Sequence, residues 1–186
     1  MDTIQIHTYK FHELSETAKT QAIEDYRNEK QDNNNLLFFY EDYCLEELER
    51  NGFKGDFKIY YSLGYSQGDG ICFEGSFNLL DYLRVNKLLT RFKHIIEDPE
   101  ATIKQQGSYF HYNSMDLYLG EFKEGSEELE KDLREIIEDH MKRLSGKLEL
   151  EGYKQIEFEL SDECIIEDLI SNEYDFLDSG KRKFYV

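Results

Sequence analysis

Phe57-Lys58-Ile59-Tyr60-Tyr61-Ser62-Leu63-Gly64-Tyr65-Ser66-Gln67-Gly68-Asp69-Gly70-Ile71-Cys72-Phe73-Glu74-Gly75 is the stretch on which the fold turns. Its two ends have the aromatic and β-branched composition of strands, and its middle is polar and rich in glycine. Strands are expected at Phe57–Ser62 and Ile71–Phe77, with Asp69-Gly70 as the hairpin turn signal. Four of the chain's 12 glycines fall here. Such spacing marks backbone that other residues resist, or backbone closely approached by something else.

Upstream, Thr3–Tyr9 alternates apolar and polar residues as a half-buried strand does. Ser15 is placed to cap a helix with Ala18, Ala22, Ile23 and Tyr26 inward, stopped at Asp32–Asn35. A second helix is expected over Leu36–Arg50, with Phe39, Tyr43, Leu45 and Leu48 available for burial and Asn51-Gly52 as its end. A third is expected over Leu80–Ile96, ended by Asp98-Pro99. Thr102–Gln106, Tyr109–Tyr112 and Met115–Leu119 have strand composition. From Ser126, Leu129, Leu133, Ile136, Ile137, Met141, Leu144 and Leu148 recur at helical spacing, and Gly146 and Gly152 leave that helix's end open. A short helix from Ser161 to Ile170 follows, then segments Tyr174–Phe176 and Lys183–Val186 around an Asp178-Ser179-Gly180 turn. Strands and helices cluster instead of alternating. The expectation is one α+β domain over 1–186: an antiparallel sheet covered on one face by helices, with an acidic helical segment at about 126–186 packed on it.

The chain carries 22 basic and 40 acidic side chains, a net charge of −18. Residues 121–178 hold 20 carboxylates against 7 basic groups. That sign opposes direct nucleic-acid binding, which draws on Lys and Arg contacts to phosphate, and favours basic protein surfaces. Cys44, Cys72 and Cys164 sit among apolar neighbours and read as reduced core thiols of a cytosolic protein. No apolar run has the length of a membrane span, so no membrane association is expected.

Ser66-Gln67-Gly68-Asp69-Gly70 lacks the Gly-Lys-Ser/Thr and the following helix of a phosphate loop. Two readings stand: a specialised turn, or a polar contact loop in which Tyr65, Ser66, Gln67 and Asp69 meet a partner. On the long helix, Glu128, Asp132, Glu135 and Asp139 are the matching candidates. Either they are an ordinary solvated face, or they present charge as a phosphate array does. Asp69, Glu74 and His111 would make an acid–base or metal site only if the fold brought them together. No nucleophile elbow, Cys/His zinc pattern or cofactor fingerprint is present, so no catalytic residue, metal or cofactor is expected.

The run Tyr61–Gly75, with its Ser-Gln-Gly-Asp-Gly core, resembles a motif of small bacteriophage and prophage accessory proteins, some labelled antitoxin-like. Tyr9–Ser15 with Ala18 and Ala22, Ser161-Asp162-Glu163 and Asn172–Phe176 are similar to that family's opening and closing segments. The resemblance implies a phage protein made in the host cytoplasm. The expected function is non-enzymatic inhibition of a bacterial defence component with a basic surface, such as a nucleic-acid-guided nuclease (an anti-CRISPR role). An antitoxin-like regulator is an alternative. So is a sponge for a small nucleotide signal, which would need Arg84, Arg91 or Lys104 beside the loop.

Overall fold

The computed structural model describes residues 7–32, 35–37 and 40–184. Two compact units emerge, one formed by Met1–Phe38 with Lys154–Val186 and a larger one by Phe39–Tyr153. The fold is α+β, with one antiparallel sheet.

In the larger unit the strands are β1 (Phe57–Ser62), β2 (Gly70–Asn78), β3 (Glu100–Gln105) and β4 (Met115–Leu119), side by side in that order. Cross-strand partners Ile59–Phe73, Phe77–Ala101 and Ile103–Leu117 put buried apolar side chains on one face. Lys58–Glu74, Ser76–Thr102 and Lys104–Asp116 meet on the other, the two-residue period of a half-buried sheet. The apolar face is covered by α2 (Tyr40–Arg50), α3 (Leu79–Val85), α4 (Leu89–Phe92) and the long α5 (Glu127–Glu159). Ser145 of α5 donates to the Ile71 carbonyl and Arg134 to the Leu117 carbonyl at 2.7 Å, tying the helix to the sheet. Phe53 lies between them, its ring 5.0 Å from Tyr82, 5.1 Å from Phe77 and 5.5 Å from His140.

The other unit is built on α1 (Glu16–Asp32) and α6 (Asp162–Ser171). Phe11, Leu14, Ala18 and Ala22 bury against Ile165, Leu169 and Phe176. Ser15 caps α1 through the Ala18 amide, as expected. Residues 177–181 form the anticipated turn, with Gly180 donating to the Leu177 carbonyl. The expected Thr3–Tyr9 strand lies mostly outside the described residues; Tyr9 pairs with Phe176 as an isolated bridge. Phe39, part of the Asp32–Asn35 break and the last two residues also lie outside them.

Two expectations need correction. The third helix is two, because the Asn86 side chain bonds the Asn51 and Tyr82 carbonyls and Lys87 turns to φ +60°. Tyr109–Tyr112 is no strand: residues 109–111 are irregular and lead into a 3-10 turn at Tyr112–Ser114, where the Ser114 hydroxyl bonds the Tyr109 and His111 carbonyls. The expected hairpin forms between β1 and β2, with residues 63–69 as its loop and Gly70 opening β2. The long helix, whose end the sequence left open, runs unbroken through both glycines to Glu159.

Candidate functional site

The glycine loop is organised around Asp69. Its carboxylate accepts from the Ser62 hydroxyl and the Ser66 amide, each at 2.7 Å, and from the Tyr153 hydroxyl at 3.4 Å. Burial pushes this carboxyl up, but those bonds together with one from the Gly64 amide outweigh it and hold Asp69 below its ordinary value. The Tyr153 hydroxyl is raised by burial first, then by the Asp69 and Glu149 charges. Asp69 is therefore an internal anchor of the loop rather than a free contact group.

What the loop offers outward is aromatic. Tyr65 sits at φ +57°, a conformation bulky residues rarely adopt, with 67% of its surface exposed and its ring 4.5 Å from that of Tyr153. Tyr109, equally exposed, brings its ring against Gly68. A Cβ on Gly68 would stand 2.8 Å from the Tyr109 ring, and φ there is +94°, so only glycine admits this approach. Ser66 and Gln67 are exposed between the two rings in sequence. Tyr153 and the placement of Tyr109 were not legible in sequence: neither carries a motif, and only the folded chain brings them to the loop.

The second candidate group lies on α5. Glu128, Asp132, Glu135 and Asp139 are spaced i, i+4, i+7 and i+11, so an unbroken helix stacks them in one stripe. Asp132 is ion-paired with Arg91. Glu135 has only a long, exposed pair with Lys131 at 3.9 Å. Glu128 and Asp139 are exposed and have no ion pair among the described residues.

Asp69, Glu74 and His111 do not come together as a ligand group. Glu74 accepts from the Tyr60 hydroxyl at 2.6 Å, and the His111 Nδ1 accepts from the Asn113 amide at 3.3 Å. The cations a nucleotide sponge would use are engaged elsewhere: Arg84 with Asp81, Arg91 with Asp132, and Lys104 5.1 Å over the Tyr118 ring. Among the described residues, Glu159, Cys164 and Asp168 alone offer three metal-type ligand atoms within 4.8 Å of one another. A cation already fills that place. The Lys30 ammonium lies 2.8 Å from Glu159, 2.7 Å from Asp168 and 4.0 Å from the Cys164 sulfur. Burial would lower the Lys30 pKa, but the bonds to Asp168 and Glu159 more than reverse this and raise it.

No described helix is long and apolar enough to cross a membrane. Fold and surface together define an acidic α+β protein with a tyrosine-flanked loop and a carboxylate stripe. The chain belongs to the family described as Domain of unknown function (DUF8835), whose model matches residues 40–164 and so takes in both groups. No curated protein and no solved structure matches it.

Proposed function

We propose that this protein is a phage-encoded inhibitor that acts by occupancy, docking its acidic surface on a basic face of a bacterial defence protein. The α5 stripe carries the proposal. Like charges at i,i+4 cost a helix about 0.2–0.5 kcal/mol per pair. The helix dipole offsets that only in the first turn, which covers Glu127, Glu128 and Glu130 but not Glu135 or Asp139. Asp132 and Glu135 have partners within the chain, while Glu128 and Asp139 have no ion pair among the described residues and leave carboxylates whose complement is a row of Lys and Arg. The phage setting rests on the resemblance of the Ser-Gln-Gly-Asp-Gly segment.

The test is capture and inhibition together. Immobilised protein is exposed to lysate of a bacterium carrying defence nucleases, and the captured component's activity is assayed with and without the protein. The expected outcome is a bound, blocked component that is released as salt rises and is lost with the E128Q/E135Q/D139N variant. Inhibition indifferent to both salt and the triple variant would remove the stripe as the contact.

A further inference from the structure

We infer that the exposed rings of Tyr65 and Tyr109 each receive an arginine side chain of a protein partner, an inference that rests on the partner having a basic surface. No large apolar or aromatic side chain among the described residues is more exposed than these two. Both are held in place. Tyr65 packs on Tyr153 and has a left-handed backbone, and Tyr109 sits so close to Gly68 that a side chain there would displace its ring. Rings oriented before contact lose little freedom on binding, which is what makes tyrosine an efficient interface residue.

The faces of these rings are the electron-rich surfaces that attract cations. In the same unit, other accessible tyrosines already carry one: Lys104 lies 5.1 Å over Tyr118, and Lys142 lies 4.7 Å over Tyr112. No cation of the described residues lies over Tyr65 or Tyr109. The Asp69 carboxylate beside Tyr153, within a chain of net charge −18, adds attraction of the same sign. Arginine fits better than lysine because its planar guanidinium stacks on a ring and is more weakly hydrated. Nucleic-acid bases also stack on tyrosine, but their phosphates would meet this negative field without a basic groove.

The test titrates the intact protein with an oligo-arginine peptide, an oligo-lysine peptide of equal length and oligothymidylate, following the ring resonances of Tyr65 and Tyr109. The arginine peptide is expected to bind several-fold more tightly than the lysine peptide and to shift both rings. Tyr65→Leu with Tyr109→Leu should weaken the arginine peptide about tenfold and the lysine peptide by a smaller factor. Tyr65→Phe with Tyr109→Phe, which keeps the ring faces, should bind like the parent. Equal affinity for both peptides, an unaffected double leucine variant, or preferential binding of oligothymidylate would overturn the inference. The E128Q/E135Q/D139N variant separates this outcome from the inhibitory role. If arginine preference survives while no host component is inhibited, the tyrosine site stands without that role. If the double leucine variant still captures and inhibits its target and keeps full arginine affinity, the role stands without the site.

Discussion

His140 Nδ1 accepts a hydrogen bond from the Tyr82 hydroxyl at 2.9 Å. The assignment follows from the opposite ring nitrogen, which faces the Asn51 side-chain oxygen at 3.2 Å and must donate to it. α5, α3 and the end of α2 thus meet at a neutral imidazole packed against Phe53. Burial, and then the positive charge of Arg143, keep its pKa below the ordinary 6.5. A histidine depressed in the folded state takes up its proton more readily when unfolded, so its stabilising contribution is complete above about pH 6.5 and is lost as pH falls through the folded value. The expected result is a chemical-denaturation midpoint that drops more steeply below that pH in the parent than in His140→Gln. Parallel pH profiles would show that the ring titrates freely.

Gly146 and Gly152 both lie inside α5 and should respond to alanine with opposite signs. Gly146 has nothing within 4 Å of a built Cβ, so Gly146→Ala simply removes backbone freedom from the unfolded chain and gains about 0.5–1 kcal/mol. At Gly152 the new methyl would stand 2.8 Å from the Tyr40 hydroxyl, which is committed to the Leu148 carbonyl, and would also crowd Leu63. Overpacking of this kind costs about 1–3 kcal/mol. Thermal melts of the two variants check the pair; a gain at both would mean that Tyr40 yields easily.

The same helix shows how far the sequence could be followed. Its apolar positions announced the buried stripe, and Leu133, Ile137, Met141, Leu144 and Leu148 are indeed inside. Its continuation past Gly152 was not readable, because what keeps it helical is the packing of Tyr40 and Leu63, residues far away in the chain. Strand composition likewise identified β1, β2 and β4, and β3 but for its first two residues. Local pattern failed where a side chain replaces a backbone bond, as Asn86 does between α3 and α4 and Ser114 does after Tyr109. At the loop, Tyr65 and Asp69 were visible as unusual, but their division of labour was not. The carboxylate's partners include Tyr153, and only their positions show that Asp69 faces inward while the rings face out.

Lys30 should prove a structural cation. Its ammonium bridges Glu159 and Asp168, and Lys30→Met would leave two half-buried carboxylates facing each other beside Cys164. Intermediate exposure places the cost between that of a surface pair and a buried one, about 2 kcal/mol. Because the Lys30 pKa is raised, the contribution is full below its unfolded value of 10.5 and fades only as pH rises through the folded one. Denaturation near neutral pH therefore reads the whole effect. Adding Glu159→Gln to Lys30→Met should restore part of the loss. An additive double variant would mean the ammonium is not what holds the two acids together.

Asp69→Ala tests the loop as a built object. Loss of the carboxylate frees the Ser66 amide and the Ser62 and Tyr153 hydroxyls, so residues 64–69 should exchange amide hydrogens faster while the sheet's protection is unchanged. The cost to global stability is about 1 kcal/mol, since the site is open to water. Asp69 is depressed below 3.8, so in the parent its contribution persists above that pH and is lost as pH falls through the folded value. Asp69→Asn, which keeps one acceptor oxygen without the charge, should fall between the parent and alanine. Tyr65 is the sensitive reporter. Released from the loop's geometry it should relax out of φ +57° and leave Tyr153, with a change in the near-ultraviolet circular dichroism of tyrosine. An alanine variant with unchanged exchange and an unchanged tyrosine signal would mean that the glycines and Tyr153 alone hold the loop.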